Sequence, residues 1–156
     1  INFVSEHILR SHWTAIEEGA SRAGKSADRS NWRIAREVVV ADSSTEARKQ
    51  ALSGTLARDM ECYFLKLLPR SKMMGLLKID PNMPDSDVTV EYLVDNIFIV
   101  GSPEEVTEKL SSLDESVGGF GTLMAMGHEW VPEGFWKTSM GLLKEEVMPK
   151  LKTLGR

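Results

Sequence analysis

Apolar positions recur along this chain at helical spacing, then at strand spacing, then in alternation. From Ser5 to Gly24, Leu9, Trp13, Ile16, Ala20 and Ala23 follow at four- and three-residue steps, one face of a 3.6-residue period. Ser5 can cap the start of this helix and Gly24 its end. His7 and His12 fall on or beside it as surface or boundary histidines. The stretch 32–41, WRIAREVVVA, is dense in β-branched residues and apolar on both alternating sets near its end. It predicts a strand buried on both faces, as in a parallel sheet. Arg36 and Glu37 inside it must then be paired, or at least one must face a polar cavity.

Ser43 and Glu46 form a capping box that starts a long helix running to Leu68, where Pro69 stops it. Residues 69–93 hold turn formers and prolines without a clean period, which predicts a mobile loop with apolar teeth. Residues 94–101 read as extended, with a strand at 97–100. Ser102, Pro103 and Glu105 start the next helix, with a buried stripe of Val106, Leu110, Leu113 and Val117. Gly118 and Gly119 end it. A short buried strand, 120–126, then runs into the turn Gly127-His128-Glu129-Trp130. The last helix spans 135–152, with Trp136, Met140, Leu143, Val147 and Leu151 on one side and a kink or stop near Pro149.

Composition narrows the function classes. A net charge of -4 without a Lys/Arg cluster gives no case for nucleic acid. No apolar run approaches the roughly 20 residues that span a bilayer, so no membrane partner is expected. The single cysteine, Cys62, excludes a disulfide within the chain and points to a reducing cytoplasm. Cys62 itself reads as a packed thiol. The 156 residues suffice for one domain. The chain opens on Ile1 rather than Met, in the manner of a piece of a longer protein.

No phosphate-loop, dinucleotide, nucleophile-elbow, zinc-helix or CxxC motif is present. Gly118 to Gly121 precedes a strand, whereas a phosphate loop follows one and opens a helix. Met124 and Met126 read as core. His128 sits where an α/β enzyme places chemistry, beyond the C-terminal end of a strand. It reads equally as a turn histidine bonded to Glu129 or to backbone.

Three stretches in order, 32–48 (WRIAREVVVADSSTEAR), 96–110 (NIFIVGSPEEVTEKL) and 117–151 (VGGFGTLMAMGHEW, then SMGLLKEEVMPKL), resemble the C-terminal part of the bacterial luciferase-like, flavin-dependent monooxygenases. The GHEW-type turn is closest to the limonene- and alkanal-monooxygenase-like members. The resemblance implies one partial α/β domain, residues 1–156. It would supply about strands 7–8 and helices 6–8 of a TIM-like (β/α)8 barrel. Strands seven and eight are then 32–41 and 120–126, residues 97–100 an extended lead-in rather than a barrel strand, and 69–93 the mobile active-site loop.

The activity implied is insertion of one oxygen atom from O2 into a small apolar organic substrate. Reduced FMN would be supplied by a flavin reductase partner, and the assembly would be a homo-oligomer, a dimer or larger. The rim of the site would hold Asp42, Ser43, Ser44, Met126, Gly127, His128 and Trp130. Of these, Ser43, Met126, Gly127 and His128 would contact the cofactor, and His128 would support catalysis by donating a hydrogen bond to a flavin or peroxide oxygen. Met73, Met74, Leu76, Leu77 and Trp130 would close over substrate and exclude water. No metal is implied. Two other readings stay open: a catalytically inert partial barrel or non-enzymatic flavin-binding, oligomerising relative, and a nicotinamide or deazaflavin cofactor.

Overall fold

A computed structural model describes residues 3–129 and 131–153. Its centre is a parallel three-stranded sheet in the order β2-β1-β3, with β1 at Arg33–Val40, β2 at Ile99–Gly101 and β3 at Thr122–Met126. Helices cover both faces. Strand β1 pairs with β2 over Val38–Val40 and with β3 over Arg33–Glu37. Residues 97–100 were open to two readings, and Ile99–Gly101 sides with the hydrophobic period: it is hydrogen-bonded into the sheet rather than an unpaired lead-in.

Alternation along β1 separates two cores. Ile34, Val38 and Val40 pack with Leu9 and Trp13 of α1 (Glu6–Arg22) and with Val106, Leu110, Leu113 and Val117 of α6 (Pro103–Val117). Val39 and Ala41 turn to the other face. There they meet α2 (Ser44–Ser53), α3 (Thr55–Asp59), α4 (Leu65–Arg70), α5 (Val90–Asn96) and α7 (Glu133–Leu142). Strand β3 reaches only as far as Glu37. Beyond it the backbone N–H of Val40 donates to Ser139 Oγ of α7 at 2.9 Å, which satisfies a buried donor that would otherwise lack a ladder partner.

The α6 stripe is buried as its spacing requires, and Ser102 Oγ accepts from the Glu105 N–H. Other expectations change. The helix expected over 43–68 breaks at Gly54, whose ψ of -168° is extended, and contains a π turn, Met60–Phe64. Pro69 lies inside its last turn and does not end it. Cys62, on that π turn, is exposed and not packed. The segment read as extended from residue 94 is helical through Asn96, because Thr89 caps α5 by accepting from the Tyr92 N–H. Only Leu9 and Trp13 of the α1 face are buried; Ile16 is exposed. The last helix carries a second π turn, Leu143–Val147, before α8 (Met148–Thr153). Pro149 has no N–H to give to residue 145, and the wider turn takes up that mismatch. Met140 is exposed, and Ser139 takes the buried place expected for it.

The largest difference concerns β3. Expected as a buried central strand, it is the sheet's edge, with Met124 46% and Met126 38% exposed. Its outer side has no neighbouring strand among the described residues, so the apolar sequence is real but its burial is not.

Residues 69–93 are also less open than expected. Short 3-10 turns at Met74–Leu76 and Asp85–Asp87 interrupt them. Tyr92 pins the stretch by accepting from the Ile79 N–H at 2.8 Å and donating to the Leu77 carbonyl at 3.2 Å. The Ser5 N–H donates to the Leu76 carbonyl at 2.8 Å.

Candidate functional site

The parallel register sets Ala35 opposite Met124 and Glu37 opposite Met126, so these four share one face. Two residues past β3, His128 returns over that face. Its Nδ1 lies 3.0 Å from Asp59 Oδ2 at the end of α3, and its Nε2 lies 3.6 Å from Glu37 Oε1. Arg58 Nη2 in turn reaches Asp59 Oδ1 at 3.0 Å and Glu129 Oε1 at 2.9 Å. Charges of alternating sign therefore run from the buried strand to the surface: Glu37, His128, Asp59, Arg58, Glu129.

Sequence reasoning placed His128 here, but it paired the ring with Glu129 or backbone. The structure gives Glu129 to Arg58 and gives His128 two carboxylates. Glu37 carried a signal, a charge inside a buried strand. Asp59 carried none, because 69 residues separate it from His128 and only the fold joins them.

The electrostatics follow from this placement. The Glu37 carboxylate pulls the His128 pKa upward, burial opposes it, and Asp59 adds to the rise, with a net shift up. Burial pushes Asp59 upward, but the hydrogen bonds from His128 and Arg58 outweigh it and hold its carboxyl below the usual range. A raised histidine contributes stability that is complete below its ordinary value of about 6.5 and is lost as pH rises through the folded value. The lowered Asp59 contributes above the ordinary carboxylate range and loses its contribution on strong acidification. The unfolding midpoint should thus fall as pH climbs past neutrality, and His128→Gln should flatten that fall. Equal slopes in the two proteins would remove the ion pairs as the cause.

The other expected site residues scatter. Gly127 and Met126 adjoin His128. Ser43 does not: it lies beyond the end of β1, six residues past Glu37, where its Oγ caps α2 by accepting from the Glu46 N–H. Ser44 Oγ accepts from the Ser102 N–H at 3.4 Å, tying α2 to the start of α6. Asp42 is exposed. Of the expected closing residues, Met74 and Leu77 are core, Leu76 is partly buried, and Met73 is exposed. Trp130 lies outside the described residues. A cavity of about 490 Å³ opens on the opposite side of β1, beside Arg36 and between α1 and α6. Arg36 there donates to the Val4 carbonyl at 2.8 Å. This cavity does not reach His128.

The face beside His128 suits a planar aromatic anion such as reduced flavin. Met124 and Met126 offer an exposed, polarisable apolar surface, and the imidazolium stands next to it. No group of three or more metal-ligating side chains occurs among the described residues. No helix there is long and apolar enough to cross a membrane.

No family model matches the chain. It is 36% identical over 144 residues to 3,6-diketocamphane 1,6-monooxygenase of Pseudomonas putida, across 92% of this chain and 38% of that protein. To limonene 1,2-monooxygenase of Rhodococcus erythropolis it is 27% identical over 152 residues, across 95% of this chain and 36% of the relative. The solved oxygenating constituent of 3,6-diketocamphane monooxygenase from Pseudomonas putida, a type II Baeyer-Villiger monooxygenase in complex with FMN, superposes with a TM-score of 0.86 at 35% identity. That match covers 96% of this chain and 41% of the neighbour. The chain thus spans about two fifths of the length of these proteins.

Proposed function

The chain belongs to the luciferase-like, flavin-dependent monooxygenases, and from that premise we propose that it is the C-terminal portion of an FMN-dependent enzyme that inserts one oxygen atom from O2 into an apolar organic substrate. The observation that carries this reading is the match to an FMN complex over 96% of the chain. Diketocamphane and limonene, named in the relatives, point to a compact terpenoid-like substrate. In this reading β1 and β3 are the last two strands of a (β/α)8 barrel, and the Met124–His128 segment lies at the C-terminal mouth where barrel active sites form. Reduced FMN comes from a separate reductase in the cytoplasm, and the whole protein is a homo-oligomer.

Bound FMN supplies the two-electron chemistry that activates dioxygen. The chain's own residues orient and shield it. Met124, Met126 and Gly127 give the ring an apolar, close-fitting surface. His128 supplies positive charge beside it. Both ring nitrogens face carboxylates in the structure, so its support is electrostatic unless the ring turns. Ser43 keeps its hydroxyl proton free to donate after capping α2. Met73 and Leu76, with Trp130, are the remaining groups for closing over substrate.

The test is to titrate the full-length protein with FMN and reduced FMN, following flavin fluorescence. It is then turned over under ¹⁸O2 with bicyclic terpenoid ketones. Saturable binding and one labelled oxygen in the product are expected. Absence of both would end the proposal.

A second reading rests on the exposed β3 edge. The 156-residue chain by itself is inert and pairs that edge with another copy. Chromatographic size of the isolated chain with FMN added separates the two, since an inert oligomer leaves flavin fluorescence unchanged.

A further inference from the structure

Burial along the charged series is graded. The side chain of Glu37 is 1% exposed, that of His128 14% and that of Asp59 31%. A histidine thus stands between a carboxylate enclosed on one face of the sheet and a carboxylate at the surface. Its two nitrogens each face one of them, at 3.6 and 3.0 Å. We propose that Glu37, His128 and Asp59 form a proton path from solvent to the sheet face that carries Met124 and Met126.

The arrangement has the parts such a path needs. A carboxylate in mid-strand is costly to bury, and an apolar residue would serve packing alone at least as well. Glu37 shares its face with the exposed methionines, so the inner end of the path opens where the candidate site lies. The groups around the ring are Glu37 from β1, Arg58 and Asp59 from α3, and Glu129 beside it in the turn. Arg58 holds Asp59 by two nitrogens, Nε at 3.1 Å and Nη2 at 3.0 Å, which fixes the outer carboxylate against the ring. The raised His128 pKa makes the ring a proton store near neutral pH, and the lowered Asp59 keeps a negative charge at the entrance.

The movement balances as follows. The imidazolium gives its Nε2 proton to Glu37, which presents it to the site. A half-turn of the ring brings its other N–H inward, and the bare nitrogen takes a new proton from water at Asp59. The use of that proton rests on the proposed oxygenation. Its net form is substrate + O2 + FMNH⁻ + H⁺ → oxygenated substrate + FMN + H2O. One oxygen atom enters the substrate and the other leaves as water. Flavin supplies both electrons, and the path supplies the one proton drawn from solvent.

Two measurements on the full-length protein decide the matter. The first needs no flavin: ¹⁵N-histidine NMR titration of wild type, Glu37→Gln and Asp59→Asn. Each substitution should lower the His128 midpoint by about one unit or more. An unmoved midpoint in either variant overturns the path, whatever the protein catalyses. The second is turnover against pH. Asp59→Asn should slow turnover on the order of tenfold, most strongly at high pH, and added imidazole should restore His128→Ala several-fold. Wild-type rates and an unchanged pH profile in variants that merely melt earlier would make the cluster a strut and overturn the proposal. If the protein neither binds FMN nor oxygenates, the monooxygenase reading fails and delivery to the reaction fails with it. The NMR titration then still decides whether the three groups are coupled.

Discussion

Gly121→Ala should destabilise the full-length protein by about 3 kcal/mol or more, with denaturant unfolding as the measurement. The reason is close approach and not an unusual backbone angle. A Cβ on Gly121 would be driven into the backbone carbonyl of Ser30. Neither side can yield cheaply. Gly121 donates its N–H to the Trp32 carbonyl at 2.9 Å, where β3 joins β1. Ser30 is held by Asp28, which accepts from its N–H at 2.9 Å and from its hydroxyl at 2.7 Å. Arg29 beside it stacks on Trp13, 4.4 Å from the ring, and donates to the carbonyl of Gly119 at 3.2 Å. Relief would have to shear β3 along β1 and shift His128. Gly19→Ala is the control: nothing lies within 4 Å, and alanine in mid-helix should be neutral or add up to about 1 kcal/mol. Equal stability of Gly121→Ala and wild type would refute the crossing.

Leu77→Ala carries the second large effect, a loss of about 2–5 kcal/mol. Leu77 was expected among the teeth of a mobile loop. It is fully buried, in one cluster with Leu68, Leu93 and Val94. Truncation leaves a cavity that the pinned backbone, with its carbonyl bonded to Tyr92, cannot close. Met73→Ala, four residues earlier and 38% exposed, should stay within about 0.5 kcal/mol. Thermal unfolding of the two variants separates a packed segment from a loose one. Matching small losses would return the whole stretch to the loop reading.

These cases show what the sequence carried and where it stopped. The α6 boundaries and stripe were legible because capping and period agree over fifteen residues. Helix α5 was missed because VTVEYLV is rich in strand formers, and its start rests on one hydroxyl, Thr89, that local pattern did not weigh. Strand β3 was recognised as a strand, but its burial depends on which neighbours a sheet has, and hydrophobicity does not record that. His128 was placed correctly at a strand's end. Its meaning changed because Asp59 comes from a distant helix end, just before the π turn at Met60–Phe64.

The two π turns have a consequence for how lengths can vary in this chain. Each is in effect one residue inserted into a helix without leaving it. Removing a single residue from Leu143–Val147 would let an ordinary α-helix run through and rotate everything downstream by roughly 100°. Leu151, which packs against the α1–α6 core, would swing off that core, and Pro149 would meet the carbonyl four residues before it. Single-residue deletions should therefore be rarer in this helix than its exposed surface suggests.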